Sequence, residues 1–522
     1  MIATKNKIFK LAGVAFTCAV IAACSADVSN PPPLNSGTAS AGNADFTKFV
    51  AIGDSLTAGY ADGALYLLGQ QNSFPNMLAQ QFADVGGGAF TQPLVGDNLG
   101  GLLAGGIPLL HPVTGDNMFQ NRFVLNTETE SPERLEGVAT EDVIGTGLNG
   151  MAFNNVGVPG AKSFHLVLAL PAPGYGNFNN LPTGEANPYF VRFASDNTVD
   201  GITVIGDAAA QAPSFYSLWI GNNDVLSFAT SGGYDDFQLK NAEDQTGNLD
   251  PSTYGPNDIT DPTVFAGAYA ALVGAMAAAN PDVQGVLINI PDVSTIPYFT
   301  TVPYNAIPMT QADADAANAG YVAYNAGLQA AVDGLVITAE EAAQRTIFFA
   351  EGQNALVILD ETLTPIGGPE TFLRQATAED LVLLTAASTI GELNDPMDPA
   401  SVIGVGFPLG DELVLIPSEI EAINTARTAY NVTIKAEADA DPNLVFVDAA
   451  AILAELTSGL SYGNGSITAD FATGGGFSLD GVHPTARGYA VIANSIIDAI
   501  NTGFDANVYK VDPATYPTVF LK

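Results

Sequence analysis

Short runs of consecutive apolar residues, each closed by glycine or a polar turn, alternate along this chain with longer stretches of helical periodicity. The runs are Phe46–Ile52, "GMAFNNVG" (150–157), "SFYSLWIG" (Ser214–Gly221), "QGVLINIPD" (284–292) and "NLVFVDA" (443–449). The longer stretches cover 74–85, 262–280, 309–335, 417–440 and 485–503. Apolar runs without polar alternation fit strands buried on both faces, and helices between them fit parallel crossovers. The pattern predicts an α/β fold of about five parallel strands covered on both sides. In the 417–440 stretch, Ile420, Ile423, Ala426, Tyr430 and Ile434 mark an apolar face, and Ser418 and Glu421 have the spacing of a capping box.

The rhythm is interrupted by four long irregular pieces, at about 86–150, 171–213, 231–261 and 337–415. The last contains two strand-like runs, "TIFFAEG" and "ALVILDE". Connections this long are functional or form subdomains of their own. The expectation is one α/β domain, residues 45–522, carrying these insertions.

The amino terminus has a different character. Lys5, Lys7 and Lys10 precede Leu11–Ala23, an apolar stretch too short to span a bilayer. It ends in Ile21-Ala22-Ala23-Cys24-Ser25, which resembles a bacterial lipobox. The resemblance implies an export signal over 1–24, lipidation of Cys24 and attachment to the cell envelope, with Ser25 favouring the outer membrane. The alternative is a plain signal peptide cut after Ala23. Ser25–Ala44 is small, polar and proline-rich, and reads as a flexible tether. No cysteine follows position 24, so no disulfide is expected, and no later segment reads as long and apolar enough to cross a membrane.

Charge narrows the partners. Sixteen Lys and Arg stand against 55 Asp and Glu, a net charge of −39 spread along the chain. Phosphate backbones are repelled by such a surface, which argues against a nucleic-acid partner.

In an open parallel sheet, ligands sit beyond the carboxyl ends of the strands. After the first run comes Gly53-Asp54-Ser55-Leu56; after the second, "NNVGVPGA" with Gly157 and Gly160; after the third, "GNND" with Asn222 and Asn223; and near the end, "LDGVHP" with Asp480 and His483. A serine hydroxyl needs a base to become a nucleophile, the base needs a carboxylate to orient it, and the oxyanion needs donors already in place. Ser55, His483 and Asp480 have those chemistries; the backbone N–H groups of Ser55 and Gly160 and the Asn223 amide have the donor chemistry. Of three histidines, only His483 follows a strand in company with a carboxylate; His111 and His165 do not.

These four blocks resemble the GDSL hydrolases of the SGNH superfamily. Ser55 matches the first block, Gly160 the second (Gly157 is the competing assignment, and Asn155 precedes it as in many members), Asn223 the third, and Asp480 with His483 the last. The resemblance implies a three-layer, flavodoxin-like α/β/α fold and hydrolysis of carboxylic esters through an acyl-enzyme on Ser55, with no metal and no cofactor. The implied partners are an ester substrate, a lipid or acylated small molecule, and a membrane held through the lipid anchor. Two alternatives are a carbohydrate acetylesterase with the same chemistry and a non-catalytic surface-binding protein on a degenerate scaffold. The apolar insertion "VGDNLGGLLAGGIPLL" suits an acyl pocket or lid, and equally structural padding.

Overall fold

The computed structural model describes residues 35–167, 174–367, 372–462 and 465–522. The export signal with Cys24, and the tether as far as residue 34, lie outside the described residues. The chain divides into two compact units, one of residues 1–220, 267–291 and 433–522, the other of residues 221–266 and 292–432.

The first unit is built on five parallel strands: β1 (Phe49–Gly53), β2 (Asn155–Gly157), β3 (Phe215–Trp219), β4 (Gln284–Ile288) and β5 (Leu444–Val447). Their order across the sheet is β5-β4-β3-β1-β2, and every pairing is parallel. The direction of winding reverses between β1 and β3, and such a switch point opens a crevice at the carboxyl ends of those strands. Alternate residues point to opposite faces. On one face Phe49, Ala51, Phe215, Trp219, Val286, Ile288 and Val447 join a core with helix α2 (Phe74–Ala83) and helix α3 (Ala486–Gly503). Phe74, Met77, Leu78 and Phe82 come from α2, and Tyr489, Ala493, Ile496 and Ile500 from α3, each set at helical spacing. The opposite face carries Val50, Ile52, Tyr216, Leu218 and Leu287, all buried as well. Burial on both faces explains why these runs lack polar alternation.

Residues 35–44, expected as the end of a tether, instead run along the chain's last segment. Ser40 and Asn507 exchange backbone hydrogen bonds, the Asn43 N–H donates to the Phe504 carbonyl, and the Asn35 side chain brackets Lys510. The partner segment lies some 470 residues away, where composition cannot reveal it.

Among the described residues, the second unit contains the long helix Gln311–Asp333, opened by a capping box between Thr310 and Asp313, and four short antiparallel ribbons. Two of the four expected insertions, 231–261 and 337–415, fall in this unit; the other two fall in the first. Of the two strand-like runs, "ALVILDE" contributes the strand Val357–Leu359, but 346–350 is not a strand. Asn325 and Asn318 take the place of a partner strand. Each bonds both the N–H and the carbonyl of one residue, Ile347 and Phe349 respectively. The helix Pro417–Ala440 starts one residue before Ser418, so Ser418 is no cap; Pro417 fits the first turn, and the Glu419 carboxylate accepts from the Ile416 N–H. The helix Pro262–Ala279 is, against expectation, long and apolar enough to cross a membrane by length and composition alone. Its buried residues Phe265, Tyr269, Leu272 and Met276 recur every three or four positions, the seam of a helix packed on a protein core.

Candidate active site

β1 ends at Gly53 because nothing larger fits: an added Cβ would lie 2.2 Å from the Trp219 carbonyl oxygen. Asp54 then caps the one-turn helix α1 (Ser55–Ala58), its side chain accepting from the Leu56 N–H. Ser55 thus heads a helix at the carboxyl end of β1. Its own N–H has no acceptor among the described residues, as befits the first residue of a helix. Gly157 pairs with Gly53 across the sheet and packs on α1, where a Cβ would meet the Ala58 nitrogen at 2.4 Å. Asn155 ties the same two elements by donating to the Thr57 carbonyl.

Asp480 and His483 lie in a tight loop closed by the Ser478 N–H donating to the His483 carbonyl. His483 Nε2 is 2.9 Å from Ser55 Oγ, and His483 Nδ1 is 3.0 Å from Asp480 Oδ2. With a carboxylate at Nδ1, that nitrogen carries the proton and Nε2 accepts from the serine. Ser55 and the imidazole are mostly buried, and the Tyr60 ring lies over the imidazole at 4.7 Å between centroids. Burial would raise the Asp480 pKa, but the His483 imidazole and the backbone N–H groups of His483 and Val482 outweigh it and hold the carboxyl down at about 2. Further bonds come from the Gly63 N–H at 2.8 Å and the Ser478 hydroxyl at 3.0 Å.

Gly160 sits in the turn after β2 with φ +78°, a conformation that favours glycine, and its N–H has no acceptor among the described residues. Asn187, from the 171–213 insertion, fixes that turn by donating to the Pro159 carbonyl at 2.9 Å. Between the two glycines of this block, Gly157 therefore serves packing and Gly160 offers a free donor. Asn223 is in the second unit, as the first residue of the helix Asn223–Thr230 that follows β3. The other histidines are structural. His165 is half-buried, accepts from the Lys162 N–H, and is pushed down to about 3 by desolvation and by Lys162; His111 accepts from the turn residues Val113 and Thr114. In the apolar insertion, Val95 and Leu102 are buried, while Ile107 and Leu110 are exposed.

Residue-by-residue reading passed over Asn187, Tyr60 and the pair Asp62-Gly63. The last had a signal: Asp-Gly between short apolar segments is the commonest two-residue turn. Among the described residues, one group has the chemistry to hold a metal. Oxygens of Glu361, Asp411 and Glu419, in the second unit, lie within 4.8 Å of one another. Comparison with family models, with curated proteins and with solved structures returns no match.

Proposed function

We propose that this protein is a serine ester hydrolase of the SGNH type, with the three-layer fold that resemblance implies. One observation carries the reading: the unbroken chain Ser55 Oγ, His483 Nε2, His483 Nδ1, Asp480 Oδ2, with links of 2.9 and 3.0 Å, at the carboxyl end of a central parallel strand. Ser55 Oγ attacks the ester carbonyl as His483 takes its proton. The oxyanion is met by the Ser55 and Gly160 N–H groups; the resemblance assigns a third donor to Asn223. His483 then protonates the leaving alcohol, and water, activated by the same imidazole, releases the acid from the acyl-enzyme. Asp480 keeps the imidazole in the productive tautomer and stabilises it when charged.

A fluorophosphonate probe should label the wild-type protein and not Ser55→Ala. Equal labelling of both would end this reading. A panel of p-nitrophenyl esters of rising chain length beside acetylated glycans separates a lipase from a carbohydrate acetylesterase. Removing one preorganised donor costs kcat roughly 10²–10³-fold with KM little changed. Asn223→Ala should show that loss while Asn222→Ala stays within a few-fold of wild type; exchanged outcomes would move the third block by one residue. We also propose that Cys24 is lipidated and anchors the protein to the envelope, so Cys24→Ala should abolish labelled-palmitate incorporation.

A further inference from the structure

Ser55 and His483 are 428 residues apart in the chain, and their side chains meet at 2.9 Å. Something must hold the two loops that carry them in register. The sequence Ala61-Asp62-Gly63-Ala64 forms a two-residue turn, Ala61 and Ala64 exchanging backbone hydrogen bonds at 3.2 and 3.1 Å. Asp62 and Gly63 at its tip have φ of +54° and +70°. Asp-Gly is the pairing such a turn prefers, and Asp tolerates the left-handed conformation better than most side chains.

Each polar group of Asp62 is engaged. Its N–H donates to Ser478 Oγ at 2.9 Å, and that hydroxyl donates to Asp480 Oδ1 at 3.0 Å. Its Oδ1 accepts from the Leu479 N–H at 3.1 Å, its Oδ2 from the Tyr66 hydroxyl at 2.8 Å, and its carbonyl from the Phe123 N–H at 2.8 Å. The next residue, Gly63, gives its N–H to Asp480 Oδ2, the oxygen that also faces His483. Asp62 is 1 % exposed and Ser478 equally buried, so water does not compete for these bonds. The turn that follows the nucleophile thus grips three consecutive residues of the loop that carries the base, Ser478, Leu479 and Asp480.

We propose that Asp62 is a positioning residue: through its hydrogen bonds, not its charge, it holds the Asp480–His483 loop in register with Ser55. The inference rests on the hydrolase reading above. Asparagine separates the two contributions. Its amide oxygen accepts from Leu479, its NH₂ donates to the Tyr66 hydroxyl, which accepts as well as donates, and it tolerates the left-handed backbone. Alanine loses both bonds.

The test measures kcat and KM on p-nitrophenyl acetate, and the rate of fluorophosphonate labelling, for wild type, Ser55→Ala, Asp62→Ala, Asp62→Asn and Ser478→Ala. A displacement of about 1 Å at a reacting pair costs on the order of 10²-fold, so Asp62→Ala should lower kcat and labelling rate by about that factor with KM within about threefold. Asp62→Asn should recover to within about fivefold of wild type. Ser478→Ala cuts the link between Asp62 and Asp480 without touching the left-handed residue, and should lower kcat by roughly tenfold; it decides the question if Asp62→Ala does not fold. The proposal is overturned if Asp62→Ala or, failing that, Ser478→Ala keeps wild-type kcat, or if Asp62→Asn is as impaired as Asp62→Ala, since charge would then be the agent. Wild type that neither hydrolyses the ester nor takes the probe is a different failure, that of the hydrolase reading itself.

Discussion

Asp480 in the first unit and Glu419 in the second are both buried carboxyl groups, and burial pushes the pKa of each upward. They end far apart, Asp480 at about 2 and Glu419 at about 9. The difference lies in what faces them. Asp480 accepts from the His483 imidazole, from three backbone N–H groups and from a hydroxyl. Glu419 accepts from one backbone N–H, that of Ile416, and faces Asp411, Glu361 and Asp360. Burial sets the cost of a charge, and donors and neighbours decide whether the charge survives it. Asp62 falls between the two: burial raises it to about 6, while the Leu479 N–H and the Tyr66 hydroxyl pull it back. A carboxylate kept ionised beside a histidine has the chemistry to support the proton transfer proposed for His483. One that has to borrow a proton near neutrality leaves a different mark, on stability.

The comparison breaks most severely on the Asp480 side if its purpose is removed. Ser55→Ala and His483→Ala should each lower kcat by roughly 10⁴-fold or more, and the double variant should be little worse, because the two act as a unit. Additive losses in p-nitrophenyl ester assays would assign them to separate steps. Asp480→Asn removes the charge and one acceptor while keeping the shape. It should cost about 10³–10⁴-fold in kcat, since the imidazole then loses its tautomer and its counter-charge. A loss under tenfold would show that the loop's backbone bonds alone orient His483.

The Glu419 side gives a smaller effect, read in stability. Its folded-state pKa lies above its unfolded value near 4.5, so its contribution is fully present below about pH 4.5 and is lost as pH rises toward about 9. Glu419→Gln keeps an acceptor for Ile416 and removes the titration. It should stabilise the protein at pH 8 by roughly 1–2 kcal/mol and change little at pH 4. Urea melts at the two pH values check this. Equal effects at both would mean that packing, not charge, governs the position.

The meeting of Ser55, Asp480 and His483 was legible in the sequence because local chemistry announces it: a strand halted by glycine, and a carboxylate three residues from a histidine. The five strands were legible for a related reason, since burial on both faces leaves unbroken apolar runs. What escaped depends on partners far away in the chain. Residues 35–44 look like a tether until Phe504, Asn507 and Lys510 are placed beside them. "TIFFAEG" has strand composition, but two asparagines on the helix Gln311–Asp333 satisfy its backbone. Asp62 reads as a turn residue, and only the fold puts Ser478 and Leu479 against it. In the 417–440 helix, two capping arrangements competed two residues apart, and Glu419 on the Ile416 N–H prevailed over Ser418 with Glu421.

The separation of 428 residues between Ser55 and His483, the nucleophile and base of the proposed mechanism, also sets a timetable. Closing so long a loop is thermodynamically modest, each doubling of length costing only about 0.6 kcal/mol, but contacts between distant positions form slowly. Chain elongation delivers Ser55 early and His483 almost last, and the turn that grips the histidine loop waits with the serine. A polypeptide ending anywhere before residue 483 therefore contains Ser55 without the imidazole proposed as its base. If the proposed hydrolase reading holds, chemical competence arrives in one step, when the last tenth of the chain docks, and the appearance of probe labelling during refolding becomes a clock for that docking.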